Sequence, residues 1–368
     1  MTKKKVSISK RKIKVALVGC GRIIQNHIKS LILHNSESEI VAICDENLDN
    51  LKKTRDFIEE QFLEANLSTT KLSLFSDYAE LISSKKKLNI DLIVLATPSG
   101  LHASQTIIAA KAGINVCTEK PMATKWEDGI EMVDACEKSG VKLFVVKQNR
   151  FNATLKLVKK QIEDGRFGRL SLVTTNVFWQ RPQTYYDQDK WRGTLDMDGG
   201  ALMNQASHYV DLLDWLIGPV ESLSASVSTI SRNIEAEDTA AIQLKWCNGA
   251  LGTMAVTMLT YPKNLEGSMT ILGEKGTVKI GGLAVNKIQN WEFADYSKDD
   301  DLIEKVSYDT TSVYGFGHSL YYKNMLASLN GEDVSICDGN EGLKSLELII
   351  AAYISSRKGK KVDLPLQI

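Results

Sequence analysis

The sequence predicts an α/β chain in two parts: a doubly wound parallel sheet, followed by an α+β domain with a large, mostly antiparallel open sheet. Three observations carry this reading. An apolar run at 13–18 meets Gly19 and Gly21 and then a helical stretch. Short apolar runs and helical segments alternate from there to about residue 146, the pattern of parallel strands joined by crossover helices. From about 170 to 280, β-like runs follow one another with few helices between them, which favours antiparallel pairing. The boundary is expected near Asn149, giving domains of 1–149 and 150–368.

Composition is that of an ordinary globular protein. The chain has 368 residues, 43% hydrophobic and 24% charged, enough for two domains. Lys+Arg and Asp+Glu balance at 45 each, so no global charge argues for nucleic acid or an anionic membrane surface. Cys20, Cys44, Cys117, Cys136, Cys247 and Cys337 show no metal-ligand spacing and sit mostly in apolar contexts, as reduced cysteines of a cytoplasmic protein do. The basic start, Lys3, Lys4, Lys5, Lys10, Arg11 and Lys12, precedes an apolar run of only 15–18, too short for a signal peptide. No run approaches the length of a transmembrane helix.

The first unit of the pattern is strand 13–18, then Gly19-Cys20-Gly21-Arg22-Ile23-Ile24, then a helix to about 34. Two glycines permit a tight turn and close approach of backbone amides to a diphosphate, which the helix N-terminus stabilises. The third fingerprint position is Ile24 rather than Gly or Ala. Strand 39–44 ends in Asp45, at the spacing where a carboxylate takes the ribose hydroxyls and repels a 2′-phosphate, favouring NAD over NADP. Asp45 also fits as the cap of the helix beginning near 47, and the two roles are compatible. Strand 91–96 runs into Thr97-Pro98-Ser99-Gly100-Leu101-His102, a turn expected beside the cofactor.

After a helix to 113, the run 114–118 ends in Glu119-Lys120-Pro121-Met122. This places Lys120 at the carboxyl edge of the sheet, where ligands bind, on a turn stiffened by proline. Alone, Glu-Lys-Pro reads as a surface loop with a solvated lysine. Sharing a sheet edge with the glycine turn makes it a site. A helix at 126–139 and a strand at 141–146 complete the alternation.

Beyond a helix at 152–164 come β-like runs at 170–179, 220–228, 239–246, 249–259, 267–272 and 276–280. Between the first two lie Trp191-Arg192-Gly193 and Asp198-Gly199-Gly200, leading into a helix expected to begin near Gly200. On it Asn204 and His208, four apart, share one face, and Asp211 and Trp215 another. A lone histidine on an apolar helix is ordinarily a hydrogen-bonded core residue. With Lys120 in need of a partner, it reads here as catalytic. His318, after Tyr314-Gly315-Phe316-Gly317, opens a helix to about 330 and suits capping or packing, and the amphipathic helix at 341–357 packs on the body.

On these residues the sequence resembles the Gfo/Idh/MocA oxidoreductase family. The resemblance runs from Gly19-Cys20-Gly21-Arg22-Ile23 through Glu119-Lys120-Pro121 to Gly199-Gly200 and His208, nearly the whole chain. The blocks at 146–150, 200–221 and 260–268 are similar to one branch of that family. Its members oxidise the 3-hydroxyl of UDP-N-acetyl-2-amino-2-deoxyglucuronate, a precursor of diamino-uronic acid sugars in lipopolysaccharide O-antigen. The resemblance implies a Rossmann domain holding NAD through Gly19, Gly21, Arg22, Ile23, Asp45, Thr97, Pro98, His102, Glu119, Lys120 and Gln148. It matches Lys120 and His208 to the family's catalytic pair and puts Asn204 where many members carry Asp. An amide cannot exchange the proton, so Asn204 is expected to position a hydroxyl or the histidine.

The resemblance also implies substrate contacts from Lys120, Arg150, Trp191, Arg192, Asn204, His208, Tyr261 and Lys263. Arginine's planar fork suits a uronate or a diphosphate. Arg181, Asn149 and Asn264 lie in or beside the same blocks. Trp179 and Trp191 suit stacking on sugar or uracil and suit the core equally. Oxidising a secondary alcohol requires a hydride acceptor and a group taking the hydroxyl proton, and Lys120 and His208 share that task with either as base. A homo-oligomer, a tetramer by the resemblance, is expected to cover the open sheet. NAD is either released at each turnover or reoxidised in place by 2-oxoglutarate. Two other readings stand beside this one. The first is an NAD(P)-dependent dehydrogenase of another sugar, inositol or nucleotide sugar. The second is a non-catalytic NAD-binding sensor, against which the presence of both Lys120 and His208 argues.

Overall fold

The structure, a computed structural model, describes residues 11–68, 71–310 and 317–367. The lysines at 3–5 and 10 and the stretch 314–316 lie outside the described residues. Packing divides the chain into two compact units. The first takes residues up to Ala123, then Glu127–Val146 and His318–Leu343. The second takes Thr124–Trp126, Lys147–Gly317 and the chain from Lys344 onward. This differs from a single boundary near Asn149, because residues 318–343 return to the first unit.

The first unit is built on six parallel strands in the order β3-β2-β1-β4-β5-β6. They are β1 (Ile13–Val18), β2 (Ser38–Cys44), β3 (Ser73–Phe75), β4 (Leu92–Leu95), β5 (Asn115–Thr118) and β6 (Leu143–Val145). Leu92, Ile93, Val94 and Leu95 are all fully buried, as expected of a strand covered on both faces. The sheet grows outward in both directions from β1, so the crevice beyond the ends of β1 and β4 is its topological switch point. Helices Ile24–Leu33, Leu48–Glu64, His102–Lys111 and Trp126–Ser139 connect the strands. The returning segment completes this core: Tyr321, Tyr322, Met325 and Leu326 are fully buried, and Val145 N–H donates to the Cys337 carbonyl at 3.1 Å.

The second unit carries an eight-stranded sheet in the order β13-β12-β11-β7-β10-β9-β8-β14. Its strands are β7 (Leu170–Phe178), β8 (Val220–Ser228), β9 (Thr239–Trp246), β10 (Leu251–Thr257), β11 (Glu266–Gly273), β12 (Gly276–Gly281), β13 (Lys287–Phe293) and β14 (Val362–Asp363). Every pair is antiparallel except β7 with β10. Side chains alternate along β9: Ile242, Leu244 and Trp246 are buried while Ala241, Gln243 and Lys245 face outward. One face thus packs a core and the other is open, the one-sided pattern of antiparallel sheets.

Candidate active site

The glycine turn is fixed by what surrounds it. Gly19 has φ +88°, and a Cβ there would stand 2.6 Å from the Ala96 carbonyl, so the turn presses against the end of β4 and admits only glycine. Around Gly21 the space is open, with no atom within 4 Å of where a side chain would begin. Asp45 ties the turn to the end of β2, its carboxylate accepting Cys20 N–H at 2.6 Å and Asn47 N–H at 2.8 Å. The cap of helix Leu48–Glu64 is Asn47, which accepts from the amides of Asp49 and Asn50. Asp45 is therefore left to the turn. A cleft of about 210 Å³ adjoins it, lined by Cys20, Gly21, Arg22, Gln25, Asn50 and Lys53 among others. Room beside a glycine, two cations and the start of a helix fit the diphosphate of a dinucleotide. A cavity of about 290 Å³ near Lys12, Phe62 and the start of β2 lies at the other end of the strands, away from this chemistry.

At the end of β5, Glu119 and Lys120 occupy different environments. Lys120 is half-buried and joined to Pro121 by a cis peptide. Glu119 is buried and fully engaged: Oε1 meets His27 Nε2 at 3.0 Å, and Oε2 accepts the backbone N–H of Lys120 at 3.1 Å. His27 Nδ1 lies 2.7 Å from the Tyr322 hydroxyl, and its ring meets that of His318 edge-on at 5.8 Å. Burial opposes ionisation of Glu119, but the His27 bond and the charges of His27, His318 and Lys120 outweigh it and hold the carboxyl near 2. Burial lowers His318 to about 4. Glu119 thus fixes the lysine's backbone.

His102 is also buried. Nδ1 lies 2.9 Å from the Pro121 carbonyl and Nε2 3.0 Å from that of Thr97, so the ring sits between the loops after β4 and β5 and, when neutral, donates to one of the two carbonyls. Burial lowers its pKa. Thr97 and Pro98 are half-exposed, and the Thr97 hydroxyl donates to Gln105 at 2.7 Å. Ile23 is half-buried before helix Ile24–Leu33, and Ile24 is buried where the fingerprint commonly has a small residue.

In the second unit the expected single helix from Gly200 is two pieces: a π-helical turn, Ala201–Gln205, and helix Ser207–Ile217. The Asn204 amide donates to Asp198, whose other oxygen accepts Gly193 N–H at 2.7 Å. Gln148 Nε2 lies 3.0 Å from His208 Nε2. An amide nitrogen only donates, so this geometry places the imidazole proton on Nδ1. Gln148, expected at the cofactor, is 1% exposed and stands on the histidine. Arg150, expected at the substrate, directs its fork at Asp211, at 2.8 and 2.7 Å, with Lys147 3.7 Å from the same carboxylate. Burial works against the Asp211 charge, but Arg150, Lys147 and His208 keep its pKa below the ordinary value.

The remaining substrate candidates separate into two groups. Arg192 lies over the rings of Trp191 and Tyr185, at 4.6 and 4.7 Å, and bonds Asp189 at 2.8 Å. Arg181 lies over Trp179 at 5.2 Å, and Trp179 itself is a buried core residue. Tyr261, 93% exposed, and Lys263 stand apart from these on the loop between β10 and β11. On that loop Asn264 caps Gln180 N–H at 2.8 Å. Among the described residues, no group of three His, Cys, Asp or Glu side chains is placed to hold a metal, and no helix is long and apolar enough to cross a membrane.

Three residues have roles in the structure that the sequence did not assign: His27, Asp198, noted only as the start of Asp198-Gly199-Gly200, and Glu237, whose carboxylate accepts Leu202 N–H at 2.8 Å. A histidine on the buried face of the first helix, next to Ile28, is the only local signal for the first. The other two have none.

Two models of the Gfo/Idh/MocA oxidoreductases match the chain, the NAD-binding Rossmann fold over residues 13–147 and the C-terminal alpha/beta domain over 159–364. Among solved structures, the WlbA dehydrogenase from Bordetella pertussis, in complex with NADH and UDP-GlcNAcA, is 56% identical. It covers 98% of this chain and 100% of its own, with a TM-score of 0.90. The WlbA dehydrogenase from Chromobacterium violaceum, with the same two ligands, is 52% identical over 98% of this chain and 99% of its own, at a TM-score of 0.89. D-apiose dehydrogenase from Paraburkholderia graminis is 24% identical over 96% of this chain and 90% of its own.

Proposed function

The chain belongs to the Gfo/Idh/MocA oxidoreductase family, and from that premise we propose that it oxidises the 3-hydroxyl of UDP-N-acetyl-2-amino-2-deoxyglucuronate (UDP-GlcNAcA) to a ketone. The observation that carries this is the match, at 56% and 52% identity over 98% of the chain, to two dehydrogenases whose structures hold NADH and UDP-GlcNAcA. It is an NAD-dependent sugar dehydrogenase. NAD, when bound, supplies the hydride acceptor. The residues that would hold it are the open turn at Gly21, the cations Arg22 and Lys53, and Asp45 for the ribose.

The chain's own side chains handle the proton. Lys120 takes the proton of the reacting hydroxyl as base. His208, whose Nε2 accepts from Gln148, keeps its Nδ1 proton and acts as hydrogen-bond donor. Asn204, held by Asp198, orients a hydroxyl. Arg192, Trp191, Tyr261 and Lys263 are the candidates for uronate, diphosphate and uracil. Arg150 acts through Asp211, its fork being committed there. The product is a 3-keto sugar nucleotide, and its place is in the cytoplasmic synthesis of lipopolysaccharide sugars. The chain works as a homotetramer, which light scattering tests, and 2-oxoglutarate is the oxidant that regenerates bound NAD.

Mass spectrometry of UDP-GlcNAcA incubated with NAD, with and without 2-oxoglutarate, tests the reaction. Loss of two hydrogens from the sugar nucleotide is expected, with turnover in Lys120→Met lower by about 100- to 10,000-fold, the usual worth of a general base. An unchanged mass in both mixtures, with NAD bound, refutes the substrate.

A further inference from the structure

The turn that carries Asn204 is held by a residue with no part so far in the reaction. Glu237, just ahead of β9, serves that turn twice. Its backbone carbonyl accepts Ala201 N–H at 2.9 Å, and its Oε1 accepts Leu202 N–H at 2.8 Å. The Tyr353 hydroxyl donates to the same oxygen at 3.1 Å. Oε2 presses on the chain so closely that a Cβ at position 200 would lie 1.9 Å from it, leaving glycine as the residue that fits.

We propose that Glu237 is a positioning residue for the dehydrogenation: by clamping the first amides of the 201–205 turn, it sets where Asn204 and His208 stand. This rests on the dehydrogenase reading of those two side chains. A π-helical turn is rare and is found mostly as a single turn, often at a functional site, so the contacts that hold this one in place bear on the site. The amides at the start of any helical segment also lack internal partners. Glu237 takes two of them, and Asn204 lies at the far end of the same turn, fixed to Asp198. His208 follows at the start of the next helix. A misplacement of about 1 Å at reacting groups costs on the order of 100-fold in rate, so a clamp this close to both residues is felt in kcat.

The clamp also changes charge in the working range. Burial raises the Glu237 carboxyl to about 7, against the pull of Leu202 N–H, its own amide and the Tyr353 hydroxyl, and with help from the charge of Asp238. Tyr353 faces it from helix Gly339–Lys358 and Asp238 from the head of β9, while the turn 201–205 contributes no titratable side chain. Above neutrality the carboxylate holds Leu202 through a stronger, charge-assisted bond.

Steady-state kinetics of Glu237→Gln and Glu237→Ala with UDP-GlcNAcA and NAD, from about pH 5 to 9, tests this alongside NMR of nitrogen-labelled histidines. The glutamine amide keeps an acceptor for Leu202 and Tyr353. Its kcat is expected within about threefold of the parent, without the inflection near pH 7. The alanine variant is expected to lose at least about tenfold in kcat with the KM for NAD unchanged. The His208 ring signals, assigned with His208→Gln, should lose in Glu237→Gln the shift that accompanies the transition near neutrality. If the alanine variant does not fold, Tyr353→Phe removes one arm of the clamp and should lower kcat by about threefold or more. Parental kcat in a folded Glu237→Ala or Tyr353→Phe, or an unchanged His208 titration in Glu237→Gln, overturns the proposal. If the parent protein does not turn over the sugar nucleotide, the dehydrogenase reading fails, and the histidine titration alone decides whether Glu237 governs the surroundings of His208.

Discussion

Glu119 keeps its charge in the interior because His27 stands against it, and the cost of removing that partner follows directly. His27→Leu leaves a buried carboxylate with one bond fewer, which destabilises the fold by about 1–3 kcal/mol. The pH dependence has a definite sign. The Glu119 pKa is lowered in the fold from 4.5 to about 2, so its contribution is complete above pH 4.5 and is lost as pH falls towards 2. Urea titrations should therefore show the largest gap between His27→Leu and the parent near pH 7, narrowing below pH 4.5. A gap that widens in acid excludes this account. The places of Gly19 and Asp45 at the first turn and of Lys120 at the end of β5 were legible in the sequence, because strands followed by turns and helices fix those positions, whereas His208 was singled out only as a partner for Lys120. The contact of His27 with Glu119 was not, since 92 residues separate the pair and no periodicity links them.

Between elements, the buried charges of Lys147, Arg150 and Asp211 join the turn Gln148–Phe151 to helix Ser207–Ile217. Asp211→Asn removes the anion and leaves the buried Lys147 and Arg150 without their shared carboxylate. The expected loss is about 3–5 kcal/mol, read from the urea midpoint. Little of it should depend on salt, since buried pairs are poorly screened. Arg150→Met should cost less, because it removes a charge rather than stranding two. β8 and β9 were read from the sequence with their observed ends; in β9 buried and outward residues alternate without a break, whereas β8 is bounded by Pro219 and the polar stretch after Ser228. β13 has no buried side chain, and β3 and β14 span three and two residues, so none of these gives a periodic signal. The break at Ala206 was invisible too, because a π-helical turn and an α-helix draw on the same residues.

At the scale of the whole chain, fold class and the order of its two parts followed from pattern alone, whereas the return of residues 318–343 to the first unit did not. Periodicity identifies a helix there but not the sheet it joins. A fragment of residues 1–149 lacks Tyr321, Tyr322, Met325 and Leu326 from its core and the Cys337 carbonyl beside β6. It is expected to be aggregated and unable to bind NAD in a fluorescence titration, and appending 318–343 through a flexible linker should restore binding. Equal NAD affinity for the bare fragment contradicts this. The same return governs how the protein is made. Translation must reach residue 343 before the nucleotide-binding half can close, so that half waits, with apolar surface uncovered, while the second unit's strands are made. A premature stop codon after residue 317 therefore destroys the part that was synthesised first.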